Sequence, residues 1–390
     1  MFHKEGYEMI RPQTRLKLPV DTVLFVVTLI LVVIGLWMVF DSSFPKALDN
    51  RLIGSDPYYF VKRQALGAMV GVAGLFAAMQ YGYWNLRRHA VLFMIVGMGL
   101  LLAVYIPHLG VQQNNAVRWL KLGPVVFQAS ELAKLALIIY TAGFLSRPHC
   151  NPRELGERGL APLLLVATLF VVLIEREPDL GTAAVLYLAF VTQLFLAGAR
   201  KRHIALILTV CGLAVMMMGF GFGHRAGRIT TFLHPEKDLQ GSGYQLYHST
   251  MGIGSGGLTG VGLGKGREKY FLPQGNSDFI FATYAEELGL AGSLLLLGLQ
   301  CIVSWRGFAI AQQTKDQFGS LLASGIAALI SWQALINIGT ATGSIPATGV
   351  PLPFISNGAT SLIQLMVCIG ILLSIAQHPI PPALSMPSKK

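Results

Sequence analysis

Long apolar runs alternate with short polar connections along nearly the whole chain. Ten runs have the length and character of membrane-crossing helices, near residues 20–40, 61–80, 88–106, 126–145, 160–174, 179–197, 203–222, 279–303, 319–342 and 358–376. The fifth is short and is expected to pair tightly with the sixth. The pattern predicts an all-α polytopic membrane protein forming one domain over residues 1–390. Residues 1–19 precede the first span, 377–390 follow the last, and one long polar loop, 223–278, separates the seventh and eighth. Val23–Phe40 carries no charge and is followed by no small-residue cleavage site, so it reads as a span and not a removable leader.

Composition sharpens this picture. The 390 residues are 53% hydrophobic and 13% charged, against about 25% charged in soluble domains, and mean hydropathy is +0.57. The net charge of +11 lies between the apolar runs, with no basic block interleaved with aromatics. It fits lipid and orientation, and no nucleic acid is expected. With the N-terminus inside, the basic groups Lys4–Lys17, Arg87–Arg88, Arg147–Arg158 and Arg200–Arg202 share the inner side and outnumber the Lys and Arg of the outer connections apart from the long loop. Both termini are therefore expected in the cytoplasm. Cys150, Cys211, Cys301 and Cys368 show no metal-ligand spacing, so neither zinc nor a disulfide is expected.

That orientation places four unusual polar stretches on one face. They are Arg118-Trp119 with FQASELAKL (127–135), EREPDLGT (175–182), the long loop, and PLPFISNGATS (351–361). Their convergence predicts one composite site at the outer membrane surface.

Within that set, Asp278 opens the apolar run FIFATY. It suits a helix cap, as do Asn276 and Ser277. It equally suits a general base, because partial desolvation strengthens a carboxylate as a base. The glycine-rich run 252–266 fits no phosphate-loop pattern. It reads as a bent or re-entrant element with close backbone packing, its flanking Lys265, Arg267 and Lys269 open to lipid phosphates. Gln128, Glu131 and Lys134 step by three along one helix face. Glu131 and Lys134 could satisfy each other, but charges within a span cost about 2.5–3.5 kcal/mol each and usually mark a functional cavity. Asp179, after Pro178 and beside Glu175 and Glu177, reads first as a cap. Glu286 and Glu287 point in different directions from the helix, so at most one can join Asp278. Gly289, Gly292, Ser293 and Gly298 offer a small-residue face for a partner helix.

Five segments in order, RWLKLGPVVFQASELAKL, EPDLGT, GYQLYHSTMGIGSGGLTGVGLG, LPQGNSDFIFATYAEELGLAG and TGVPLPFISNGATSLI, resemble the signatures of the SEDS family, which includes FtsW, RodA and SpoVE. The resemblance spans nearly the whole chain. It implies an inverting peptidoglycan glycosyltransferase of the bacterial cytoplasmic membrane that polymerises lipid II and releases undecaprenyl pyrophosphate. It also implies a single-span class B penicillin-binding transpeptidase as partner, among divisome or elongasome proteins. On the same basis Asp278 is the catalytic residue, and Arg118, Gln128, Ser130, Glu131, Lys134 and Asp179 are site residues. The charge requirement of a pyrophosphate leaving group adds Lys121, Lys265, Arg267 and Lys269, and the last segment adds Ser356 and Asn357. The chain departs from the family pattern at Asn276-Ser277, at Ala129 and at Asn357, Ala359 and Thr360. GVGLGKGREKYFLP looks more like the division members. No cofactor is implied, and assistance by a divalent cation is left open. The residues alone also leave open a flippase for lipid-linked precursors or a scaffold recruiting a transpeptidase.

Overall fold

The computed structural model describes residues 19–49, 51, 54–113, 116–123, 125–156, 159–221, 242–272 and 274–378. The helices, in chain order, are α1 (Thr22–Asp49), α2 (Tyr59–Tyr81), α3 (Tyr83–Arg88), α4 (Ala90–Ala103), α5 (Ala129–Leu145) and α6 (Ala161–Arg176). They continue with α7 (Leu180–Leu196), α8 (Lys201–Gly221), α9 (Ser242–Ser255), α10 (Ile280–Gln313), α11 (Gln317–Ala341) and α12 (Ala359–Gln377). A helix stands at each position where the apolar pattern predicts one. Among the described residues, α1, α2, α10, α11 and α12 are long and apolar enough to cross a membrane. The long loop is not bare: α9 lies within it, while its residues 223–241 fall outside the described part.

The expectation of an all-α chain needs correction. Residues of the third connection and the start of the predicted fourth span form a three-stranded antiparallel sheet, β1 (Gly110–Gln113), β2 (Ala116–Leu122) and β3 (Val125–Gln128). The register pairs Gly110 with Leu120 and Trp119 with Gln128. Valines favour strand here, and alternation buries Leu120 while exposing Lys121. Gly123, with φ +60°, makes the turn between β2 and β3. The fourth span thus begins as a strand and becomes helix only at Ala129.

α11 and α12 are largely buried within the protein, whereas α2 and α10 turn most of their apolar stretch outward. Small residues bring α2 against α12: a Cβ on Gly67 would meet Ala359 Cβ at 2.8 Å, and one on Gly370 would meet the Leu75 carbonyl at 2.3 Å.

α10 is broken at Gly289, where φ is 66° and ψ −162°. Gly289 is therefore a backbone break, not part of a small-residue helix-packing face. The glycine-rich hairpin after α9 fills the break. Leu290 N–H donates to the Gly257 carbonyl at 2.9 Å and Ala291 N–H to the Leu258 carbonyl at 3.1 Å. On the other side of the break, Val261 and Gly262 N–H donate to the Glu286 and Glu287 carbonyls at 3.0 and 3.1 Å. A Cβ on Gly260 would stand 2.0 Å from the Glu287 carbonyl, so the approach requires glycine.

Candidate functional site

The segment between α11 and α12 has little regular structure, so its carbonyls need partners from side chains. Four buried amides supply them. Gln333 donates to Pro351 O at 3.1 Å, Gln300 to Pro353 O at 2.8 Å and Gln64 to Ser356 O at 3.1 Å. Gln64 also accepts the Gly358 N–H at 3.1 Å. Asn337 donates to Val350 O at 2.7 Å and to the Asp278 carbonyl at 2.8 Å. One frame of amides thus fixes both this segment and the residue opening α10.

Asp278 sits half-buried in the turn before α10. The same turn is stitched to the 352–357 stretch: Ser356 Oγ donates to Ser277 O at 2.6 Å and Asn357 N–H to Asn276 O at 3.0 Å. The N-cap position of α10 falls one residue later, on Phe279, which makes no side-chain cap bond. The Asp278 carboxylate faces Gly349, where a Cβ would lie 3.6 Å from Oδ2.

Across the Thr348–Val350 strip lies the second cluster. A Cβ on Gly181, in the first turn of α7, would meet Thr348 O at 2.4 Å. Asp179 caps that helix, accepting the Thr182 N–H at 3.2 Å. Gln128, at the end of β3, donates to Asp179 at 3.1 Å and to Ser130 Oγ at 3.0 Å. Arg118 on β2 donates to the Glu177 carbonyl at 2.7 Å and to the Pro178 carbonyl, with Asp179 3.9 Å away. Residues of all four polar stretches, the long loop through Asn276–Asp278, are therefore brought together. Glu177 is buried with neither carboxylate oxygen hydrogen-bonded among the described residues. Burial first, then the Asp179 charge, push its carboxyl up to about 8 against a smaller opposing pull from Arg118. A cavity of about 430 Å³ opens beside it, with Tyr105, Ile106, Val117 and Pro178 among its walls and Arg176 as its cation.

Among the other anticipated residues, Lys134 reaches the amide frame through Gln333. Glu131 and Lys134 pair at 3.0 Å inside the protein, and Lys134 also donates to Gln333 at 3.1 Å. They form a unit distinct from Gln128, which belongs to the Asp179 cluster. Lys269 is buried between Asp41 and Glu287 at 2.6 and 2.9 Å. Glu286 accepts the Arg267 and Glu268 N–H groups at 2.7 and 3.1 Å, and Glu287 accepts those of Gly264 and Gly266 at 2.9 and 3.1 Å. Both hold the loop. Glu268 pairs with His248. Lys121, Lys265 and Arg267 are exposed. Gln64, Gln300, Gln333 and Asn337 were absent from the sequence-based site, although isolated amides in apolar helices were the sign of them. Among the described residues, no three His, Cys, Asp or Glu side chains converge as metal ligands.

The profile of the FtsW/RodA/SpoVE family, described as cell cycle proteins, matches residues 21–379. The chain belongs to this family. It is 39% identical over 360 residues to stage V sporulation protein E of Bacillus subtilis, covering 92% of this chain and 97% of that one. It is 36% identical over 359 residues to the probable peptidoglycan glycosyltransferase FtsW of Idiomarina loihiensis, covering 91% and 86%. Among solved structures, a chain of a peptidoglycan synthase complex that coordinates polymerisation and crosslinking superposes with TM-score 0.77 at 27% identity, covering 93% and 99%. The rod shape determining protein RodA of Thermus thermophilus superposes with TM-score 0.68 at 26% identity, covering 92% and 97%. The FtsW/RodA/SpoVE fold and the membrane-crossing helices together make this a multi-pass membrane protein.

Proposed function

We propose that this chain is a peptidoglycan glycosyltransferase that polymerises lipid II at the outer face of the cytoplasmic membrane, with Asp278 as general base. The observation that carries the reading is the placement of the Asp278 carboxylate against Gly349, on the strip whose neighbour Thr348 packs on Gly181 in the helix that Asp179 caps. Asp278 takes the proton from the acceptor sugar hydroxyl as its oxygen bonds to the donor's anomeric carbon. The bond from that carbon to the pyrophosphate breaks with inversion, and undecaprenyl pyrophosphate leaves. Arg118 supplies positive charge where the leaving group gains negative charge, with the exposed Lys121 on the other face of the same strand. Asp179 and Gln128 orient Arg118, and Ser356 and Asn357 hold the turn that carries the base.

Lipid II polymerisation by purified protein tests this, run with and without a chelator so that a divalent-cation requirement is read in the same assay. Asp278→Asn keeps the size of the side chain and removes the proton acceptor. A loss of about 10²–10⁴ in rate is expected. Activity within a few-fold of the parent in well-folded variant protein rules out the general-base role.

The reading includes ten crossings with both termini cytoplasmic. A reporter inserted after residue 232 then reads outside and one after Lys389 inside. It also includes a single-span transpeptidase docked on the outward side of α10 and α11, where Leu294, Leu295 and Leu335 are exposed. Cysteine crosslinks confined to α1 or α2 would place the partner elsewhere.

A further inference from the structure

The hairpin that closes the break in α10 has a surface unlike a solvated loop. Leu258 is 73% exposed, Val261 and Leu263 of the same hairpin are exposed, and so are Tyr270 and Phe271 further along the chain. Lys265 and Arg267 are exposed too. The carboxylates around them are turned inward: Glu286 and Glu287 receive backbone N–H groups and Lys269, and Glu268 receives His248. What faces outward is apolar with a positive rim, the composition of elements that sit in an anionic lipid interface.

Two helices measure its depth. Arg306 on α10 donates to Asp21, just before α1, at 3.0 Å. This ion pair, beside the exposed Trp305, marks one edge of the bilayer. At 1.5 Å rise per residue, Asp41 on α1 stands roughly 30 Å from Asp21, about one hydrocarbon thickness. Asp41 is bound by Lys269. On α10, Leu290 and Ala291 stand roughly 23 Å from Arg306. These two residues hydrogen-bond the carbonyls of Gly257 and Leu258. The hairpin tip therefore lies roughly 7 Å below the plane of Asp41 and Lys269, within the apolar thickness. Lys265 and Arg267 lie near that plane, because a Cβ on Gly264 would stand 3.9 Å from Asp41 Oδ1 and Lys269 binds Asp41.

Backbone at such depth must be hydrogen-bonded within the protein. Gly257 and Leu258 carbonyls accept from α10, and the N–H groups of Gly260, Val261 and Gly262 donate to Gly256, Glu286 and Glu287 carbonyls.

We propose that Gly257–Leu263 is a re-entrant hairpin inserted into the leaflet nearest Asp278, with Leu258 deepest, and that Lys265 and Arg267 bind the phosphates of anionic phospholipids at its rim. The proposal rests on α1 and α10 crossing the membrane, not on glycosyl transfer. It is tested on the full chain in nanodiscs of phosphatidylglycerol and phosphatidylcholine, which contain no polyprenyl lipid. In a background with the four native cysteines replaced, bimane is attached at Leu258→Cys, with Leu263→Cys as a second site. Leu295→Cys serves as the lipid-facing control and Arg153→Cys, exposed in the connection between α5 and α6, as the aqueous one. Nitroxide on the acyl chains is expected to quench positions 258 and 295 several-fold more than position 153, with iodide showing the reverse order. Iodide quenching at both hairpin sites equal to that at position 153 overturns the insertion. For the rim, native mass spectrometry should show the Lys265→Gln/Arg267→Gln protein retaining fewer phosphatidylglycerol molecules than the parent. Equal retention overturns the phosphate contact.

Discussion

Asn337 holds Asp278 by its backbone: one side-chain nitrogen reaches the Asp278 carbonyl at 2.8 Å and the Val350 carbonyl at 2.7 Å. Asp278 and the strip it faces are thus fixed by the same amide. Asn337→Asp keeps the shape and removes both donors, leaving two carbonyls short of partners at about 1–3 kcal/mol each. Polymerisation is expected to fall about tenfold or more in kcat, with KM changed far less. Lipid II kinetics on folded variant protein checks this; a change in KM alone would mean that Asn337 serves binding and not placement of Asp278.

This relationship was not legible in the sequence, while much around it was. Apolar runs located the helices because lipid and core impose the same demand on every buried position. The charge bias put Arg118, Asp179, Asp278 and Ser356 on one face, and their segments do meet. Gln333 and Asn337 passed unnoticed because an amide adds no charge to an apolar run; only their spacing of four hints at a shared face. The strands of the small sheet are too short for a clear alternation, so Val125–Gln128 merged with the following helix. Gly289 looked like a packing residue because its left-handed φ is set by a hairpin distant in the chain.

Arg118 uses the geometry of its side chain. Its Nε and a terminal nitrogen grip the successive carbonyls of Glu177 and Pro178, which sets the strand against the turn. A lysine carries the charge but not this fork. Arg118→Lys is expected to lose most polymerisation, close to the loss in Arg118→Ala, when both are assayed side by side. Near-parental activity in the lysine variant would mean that charge alone matters.

Glu131 and Lys134 are buried together, so removing either leaves an uncompensated charge, at about 3–5 kcal/mol. Glu131→Gln and Lys134→Met should each lower thermal stability in detergent, and the double variant should recover much of the loss. Additive losses in the double variant would show that the two side chains do not depend on each other.

Glu177 gives the protein a pH dependence whose sign is fixed by its burial. Its carboxyl titrates near 8 in the folded chain against an ordinary value of 4.5. Between these values the folded state holds a proton that the unfolded state has released, so stability falls as pH rises through the window. The contribution is fully present below the unfolded value and is lost by the time the folded group ionises. Glu177→Gln cannot ionise and keeps a neutral side chain of the same size in the buried turn. Its melting temperature should match the parent's near pH 5 and exceed it increasingly toward pH 8. Melting curves across that range decide the matter. A parent and variant that run parallel at every pH would show that Glu177 does not carry the proton, and that its two unpartnered oxygens are met in some other way.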